Sequence, residues 1–92
     1  MILSFADKDT KNLSQGFRVS RFFAIERIAA RKLHQLEIAG TLKDLEIPPG
    51  NRLEKLKGTR EGQFSIRIND QWRICFIWTQ SGPSEVEITD YH

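Results

Sequence analysis

Apolar residues recur at steps of three and four between Ser20 and Ala39: Phe22, Ile25, Ala29, Leu33 and Leu36. That spacing predicts one helix with a single buried face. Ser20 suits its N-cap and Gly40 its C′ position. Arg27, Arg31, His34 and Gln35 then fall largely off the apolar face. Ahead of it, Asp7 to Ser14 reads as a short polar helix stopped at Gly16, and Ile2 to Phe5 as a short opening strand. After it, "TLKDLEIPPGN" is a connection, pinned to the core by Leu42 and Leu45 and broken by Pro48, Pro49 and Gly50.

The period changes to two in the second half. Phe64, Ile66 and Ile68 alternate with Ser65 and Arg67, and Trp72, Ile74, Phe76 and Trp78 alternate with Arg73, Cys75 and Ile77. Two strands joined through Asn69, Asp70 and Gln71 make a hairpin. A three-residue loop pairs Ile66 with Ile74, so both apolar faces coincide; a two-residue loop would set Ile66 against Arg73. The same register puts Arg67 directly across from Arg73. Like charges opposed in a sheet repel. Either an anion or nearby acids stand between them, phosphate fitting the planar guanidinium fork, or the side chains splay apart on a solvated face. "SGPS" predicts a turn, and "EVEITDYH" a last strand with Val86 and Ile88 facing the core. Asp90, Tyr91 and His92 can meet at one site only if that strand bends or ends near Thr89.

The chain has 92 residues, 39% of them hydrophobic and 28% charged, which fits one soluble globular domain over residues 1–92. A single cysteine, Cys75, leaves no internal disulfide and suits a reducing cytoplasm. The opening "MILSFADKD" is no signal peptide, and no apolar run approaches a membrane span. The net charge of +2 says little about partners, but its placement says more. Between Arg52 and Arg73, six bases (Arg52, Lys55, Lys57, Arg60, Arg67, Arg73) face three acids (Glu54, Glu61, Asp70). A local surplus of cations is the footprint expected for a polyanion.

Two histidines and one cysteine, widely spaced, make no metal-binding pattern. His34 reads as a helix-surface residue, Cys75 as a packing residue, and Trp72 and Trp78 as core anchors. What remains is a set of cations (Lys57, Arg60, Arg67, Arg73), two carboxylates (Glu54, Asp90), a phenol (Tyr91) and an imidazole (His92). His92 titrates near neutrality and can give or take a proton. RNA cleavage by 2′-hydroxyl attack needs this kit and no metal: a base, an acid, and cations for the charge gathering on phosphorus.

The block "L-x-x-L-K-G-x-R-x-G-x-x-S-I-R-x-N-x-x-W-R-I-C-F" from Leu53 to Phe76, with the opening "MILSF", the long helix and the closing "DYH", resembles the HigB toxins of the RelE/ParE superfamily. The resemblance covers nearly the whole chain. It implies an α+β fold: two N-terminal helices packed on a twisted, mainly antiparallel sheet of four to five strands. It implies a toxin of a type II toxin–antitoxin system, a metal-independent, cofactor-free endoribonuclease that cuts mRNA in the ribosomal A site. It implies as partners a HigA-like helix-turn-helix antitoxin, the 70S ribosome and mRNA, in the cytoplasm. Arg73 matches the family's transition-state arginine and Lys57 its "LKG" phosphate contact, and Arg67 lies where the family often has a basic group near the RNA; Arg60 joins them as a phosphate-binding candidate by its charge. Asp90, Tyr91 and His92 match its terminal acid, aromatic and imidazole. Glu54 stands where some members carry histidine, so the general base is Glu54, Asp90 or His92. The competing readings are a ParE-like gyrase inhibitor sharing the fold, and a ribosome or RNA binder without catalysis.

Overall fold

A computed structural model describes residues 1–90. Helix α1 spans Lys8–Ser14 and helix α2 spans Glu26–Ile38. Strands β1 (Glu54–Lys55), β2 (Phe64–Arg67), β3 (Arg73–Thr79) and β4 (Gly82–Thr89) form one antiparallel sheet in the order β1-β2-β3-β4. This is the expected α+β arrangement of two N-terminal helices packed against a sheet. The core lies between them: Leu13, Phe22, Ile25, Ala29, Leu33 and Leu36 meet Ile66, Ile74, Phe76, Val86 and Ile88. No helix among the described residues is long and apolar enough to cross a membrane.

Asp7 caps α1, its carboxylate accepting from the Thr10 amide at 3.1 Å. Gly16, at φ +90°, takes the chain out of that helix through a conformation glycine reaches without strain. The long helix is shorter than its apolar pattern predicts. Residues Ser20–Ile25 wind as a 3-10 turn, and the α-helix begins at Glu26. In a 3-10 turn, residues three apart eclipse, which sends both Phe22 and Ile25 into the core. Ser20 therefore caps nothing; Val19 precedes the turn without a side-chain cap.

The hairpin register is the one the alternation demands: Ile66 pairs with Ile74 and Arg67 with Arg73. Asn69 closes the loop, its side-chain oxygen accepting from the Gln71 and Trp72 amides at 2.9 and 2.7 Å. The next connection differs from expectation. Gly82, Pro83 and Ser84 belong to β4, and the turn is confined to Gln80 and Ser81. A bulge between Cys75 and Ile77 sets two β4 residues, Glu85 and Val86, against Phe76, with Glu85 at φ +51°. The extra residue shifts the alternation by one, so Pro83 and Val86 are both buried.

The opening strand reduces to one parallel rung, Phe5 beside Val86. Leu3 and Ala6 donate to the Pro83 and Val86 carbonyls, and Val86 donates back to Ser4. Farther along, the Ile88 amide donates to the buried Thr10 hydroxyl on α1 at 3.0 Å. The outer edge of β4 is thus covered by the chain's own N-terminal segment and α1. The strand ends at Thr89, as meeting of the terminal residues at one site requires.

Candidate functional site

The sheet has one face under the helices and one turned away from them. Across the outward face the register makes two rows. One runs Glu54, Ser65, Cys75, Glu87; the other runs Arg67, Arg73, Thr89. Arg73 is held on this face by a side chain and a backbone carbonyl. Its Nε–H donates to Ser65 Oγ at 2.8 Å, and Nη2 donates to the Arg52 carbonyl at 2.8 Å. Nη2 also lies 3.5 Å from Glu54 Oε2. Nη1 has no partner among the described residues, so one edge of the guanidinium is free to take an oxygen from outside.

The opposition of Arg67 and Arg73 is relieved by acids. Arg67 pairs with Asp70 in the hairpin loop, and Arg73 with Glu54 on β1. Glu54 is therefore not paired with its neighbours Arg52 or Lys55, the bland arrangement its sequence context offers. Both pairs are open to water: the Asp70 side chain is fully exposed and that of Glu54 is 57% exposed. Such pairs are weak, and a phosphate that both forks can grip is a stronger partner than either carboxylate.

Arg60 arrives from the loop after β1. Its Nη1 donates to Glu87 at 3.1 Å and to Gln63 at 3.2 Å, which spreads the arginine over the Cys75 row. Lys57 is exposed, just before the 3-10 turn Gly58–Arg60, and has no ion-pair partner among the described residues. It stands two residues after the end of β1. Arg67 and Arg73 pair across the sheet and Arg60 reaches Glu87 on the same face, a concentration of cations suited to a nucleic-acid backbone.

Asp90 follows the last residue of β4, whose Thr89 is the direct partner of Arg73. Its carboxylate accepts from Gln71 at 3.0 Å, which ties the end of the chain to the hairpin loop. Tyr91 and His92, two of the expected catalytic residues, lie outside the described residues. His34 is exposed on α2, on the helix layer and away from this face. Among the described residues no three His, Cys, Asp or Glu side chains converge as a metal site.

Cys75 is fully buried in the middle of the face. Burial pushes its thiol up to about 11, Glu87 adding to the effect and Arg60 and Arg73 opposing it. The thiolate is the reactive form, so native protein at pH 8 is expected to resist alkylation that goes to completion after unfolding. Between its ordinary value of 9.0 and about 11, the folded thiol keeps a proton that the unfolded chain releases. Stability conferred by that proton falls as pH rises through this window. Lys32, held below its ordinary value, contributes the opposite slope. The comparison that isolates Cys75 is therefore wild type against Cys75→Ala by urea midpoint, and the variant should lose the downward component.

Two contributors to the site are not among the candidate site residues of the sequence. Ser65 is small, fully buried and holds Arg73; its position in the strand alternation opposite Ile66 was the available signal. The Arg52 backbone matters through its carbonyl, presented from a left-handed conformation at φ +46°.

Comparison with known proteins agrees with this architecture. A family model for the RelE-like toxin of the type II toxin–antitoxin system HigB matches residues 4–92. Toxin HigB-1 of Vibrio cholerae serotype O1 is 41% identical over 80 residues, which is 85% of this chain and 84% of that protein. An uncharacterized protein of Haemophilus influenzae is 36% identical over 50 residues, covering 54% of this chain and 50% of the other. With a matching fold, a match along nearly its full length and a relative of this similarity, the chain belongs to the HigB family of RelE-like toxins of type II toxin–antitoxin systems.

Proposed function

We propose that the protein is a ribosome-dependent mRNA endoribonuclease that cuts in the A site and so arrests translation. The observation that carries this is the Arg73 guanidinium, fixed by Ser65 and the Arg52 carbonyl, its Nη1 without a partner among the described residues, beside Glu54 and opposite Thr89. Arg73 grips the scissile phosphate. Glu54 takes the proton of the adjacent 2′-hydroxyl. The 2′-oxygen then attacks phosphorus, and the bond to the 5′-oxygen breaks. Charge gathers on the phosphoryl oxygens in that transition state, where a preorganised guanidinium stabilises it most. His92 protonates the leaving 5′-oxygen, while Asp90 and Tyr91 hold the end of the chain and the nucleotide in place. Lys57, Arg60 and Arg67 bind flanking phosphates. The products are a 2′,3′-cyclic phosphate and a 5′-hydroxyl.

So small a face has few groups with which to orient a flexible RNA. Placing the 2′-oxygen in line with the leaving oxygen is worth several kcal/mol, roughly 7–11 at the upper end, and the ribosome supplies that placement. The physiological partners are then the 70S ribosome, mRNA and a HigA-like helix-turn-helix antitoxin, all in the cytoplasm.

The test is cleavage of mRNA on a ribosome programmed with a defined A-site codon. A cut within that codon, ending in a cyclic phosphate, is expected with ribosomes and not with free RNA. Deletion of His92 is expected to remove it. No cut under either condition, together with inhibition of gyrase supercoiling, would overturn the endoribonuclease reading in favour of gyrase inhibition.

A further inference from the structure

Beneath the loop that delivers Arg52 lies a buried polar cluster that none of the chemistry above uses. Lys32 projects from α2 and is only 8% exposed; Asn51 is fully buried. The Lys32 ammonium donates to Asn51 Oδ1. Asn51 Nδ2 in turn donates to Gln35 Oε1 at 3.0 Å and to the Leu45 and Ile47 carbonyls at 3.1 and 3.3 Å. Gln35, one turn along α2 from Lys32, also donates to the Ile47 carbonyl. The backbone is held as well: the Asn51 amide donates to Pro48 at 2.9 Å and the Arg52 amide to Pro49 at 3.1 Å. Every polar atom of the Asn51 side chain is engaged.

This cluster is costly. Burying a charged group without full compensation destabilises a fold, and an apolar pair of the same size often serves stability better. Burial, then neighbouring Arg31, pushes the Lys32 ammonium below its ordinary value of 10.5. Stability alone is a poor reason for it. Its geometric result is specific: Asn51 is locked, so the next residue is held at φ +46° and ψ +56°, a conformation a non-glycine residue adopts only when its surroundings impose it. In that conformation the Arg52 carbonyl meets Arg73 Nη2 at 2.8 Å.

We infer that Lys32 and Asn51 are positioning residues for the cleavage reaction, setting the Arg52 carbonyl that aims the Arg73 guanidinium at the phosphate. The inference rests on Arg73 being the phosphate group of the reaction proposed above. Lys32 acts from inside the helix layer, through Asn51 and one backbone carbonyl, and touches no RNA.

The test pairs a spectroscopic reading with kinetics. In wild type the Arg73 Nε–H, bonded to Ser65, should give a slowly exchanging, well-resolved NMR signal. In Lys32→Met that signal should broaden or average, while the amide spectrum elsewhere stays dispersed. On programmed ribosomes the rate constant at saturating toxin should fall on the order of tenfold or more, the scale of a small misplacement of a reacting group, with ribosome affinity unchanged. In an Arg73→Ala background Lys32→Met should cost nothing further, because a residue that acts only through Arg73 is coupled to it. General loosening of the domain would instead add its loss in both backgrounds. Should Lys32→Met fail to fold, Lys32→Gln, which keeps a polar end in the same space, takes its place. An unchanged Arg73 signal with an unchanged saturating rate overturns the inference. Absence of cutting by the wild type would tell against the endoribonuclease reading alone, because the Arg73 signal still decides the positioning.

Discussion

Arg73→Ala is expected to lower A-site cleavage by about 10²–10³-fold, the usual cost of removing one preorganised transition-state donor, and to abolish growth arrest. The domain should stay folded. Arg73 is on the outward face, its side chain 16% exposed; Glu54 and the Arg52 carbonyl lie at the surface, and losing the Arg73 side chain opens the buried Ser65 Oγ to water. Losing a hydrogen bond from a charged donor costs roughly 1.5–3 kcal/mol, at the low end where water can replace the donor, which stays inside the margin of a small domain. Arg73→Lys should recover little. An ammonium is a single point charge; it cannot reach Ser65 and the Arg52 carbonyl at once and still present a flat edge to phosphate. Cleavage rates on programmed ribosomes, read beside circular dichroism, check both variants. A loss below tenfold in Arg73→Ala would mean that another cation carries the transition state.

What was legible in the sequence follows from how local each decision is. The register that sets Arg67 across from Arg73 needs only the period-two pattern and a loop length, because a one-residue slip would turn every apolar side chain outward. Glu54 as a relieving acid needed the third strand to be placed, since it meets Ser65 and Arg73 only through pairing of β1 with β2. The bulge at Glu85 is invisible for a related reason: nothing in "PSEV" requires φ +51°, and only packing of Pro83 and Val86 on the same core imposes it. Lys32 is the clearest case. It lies three residues after Ala29 and four before Leu36, on the apolar face, yet lysine at such a position ordinarily reads as a solvated edge. Its burial depends on Asn51, nineteen residues away in sequence. The strand pattern and its register were therefore readable, whereas the groups that hold Arg73 in place were not, and Tyr91 and His92 lie outside the described residues.

Phe22→Ala is the substitution expected to damage the fold most, and it separates support of the site from its chemistry. Phe22 is fully buried, its ring 5.5 Å from that of Trp72 in an edge-to-face arrangement, with the Arg21 guanidinium 4.3 Å from its centroid. Truncating a buried aromatic to alanine costs about 3–5 kcal/mol. A domain of this length has roughly 5–14 kcal/mol in all, so the variant should melt on the order of 20 °C lower. Trp72 loses its packing partner in the same step. Its carbonyl accepts from Ile68 and Asn69 and closes the hairpin one residue before Arg73. Phe22→Leu, which keeps most of the volume, should cost far less. Toxicity in growing cells should fall with the folded fraction, while cleavage assayed well below the melting temperature should stay near wild type, because no reacting group has been touched. That pattern is the reverse of Arg73→Ala, which loses chemistry and keeps the fold. Thermal melts and cleavage rates at two temperatures check it; a Phe22→Ala variant that melts like wild type would show that the 3-10 turn at residues 20–25 does not hold the two layers together.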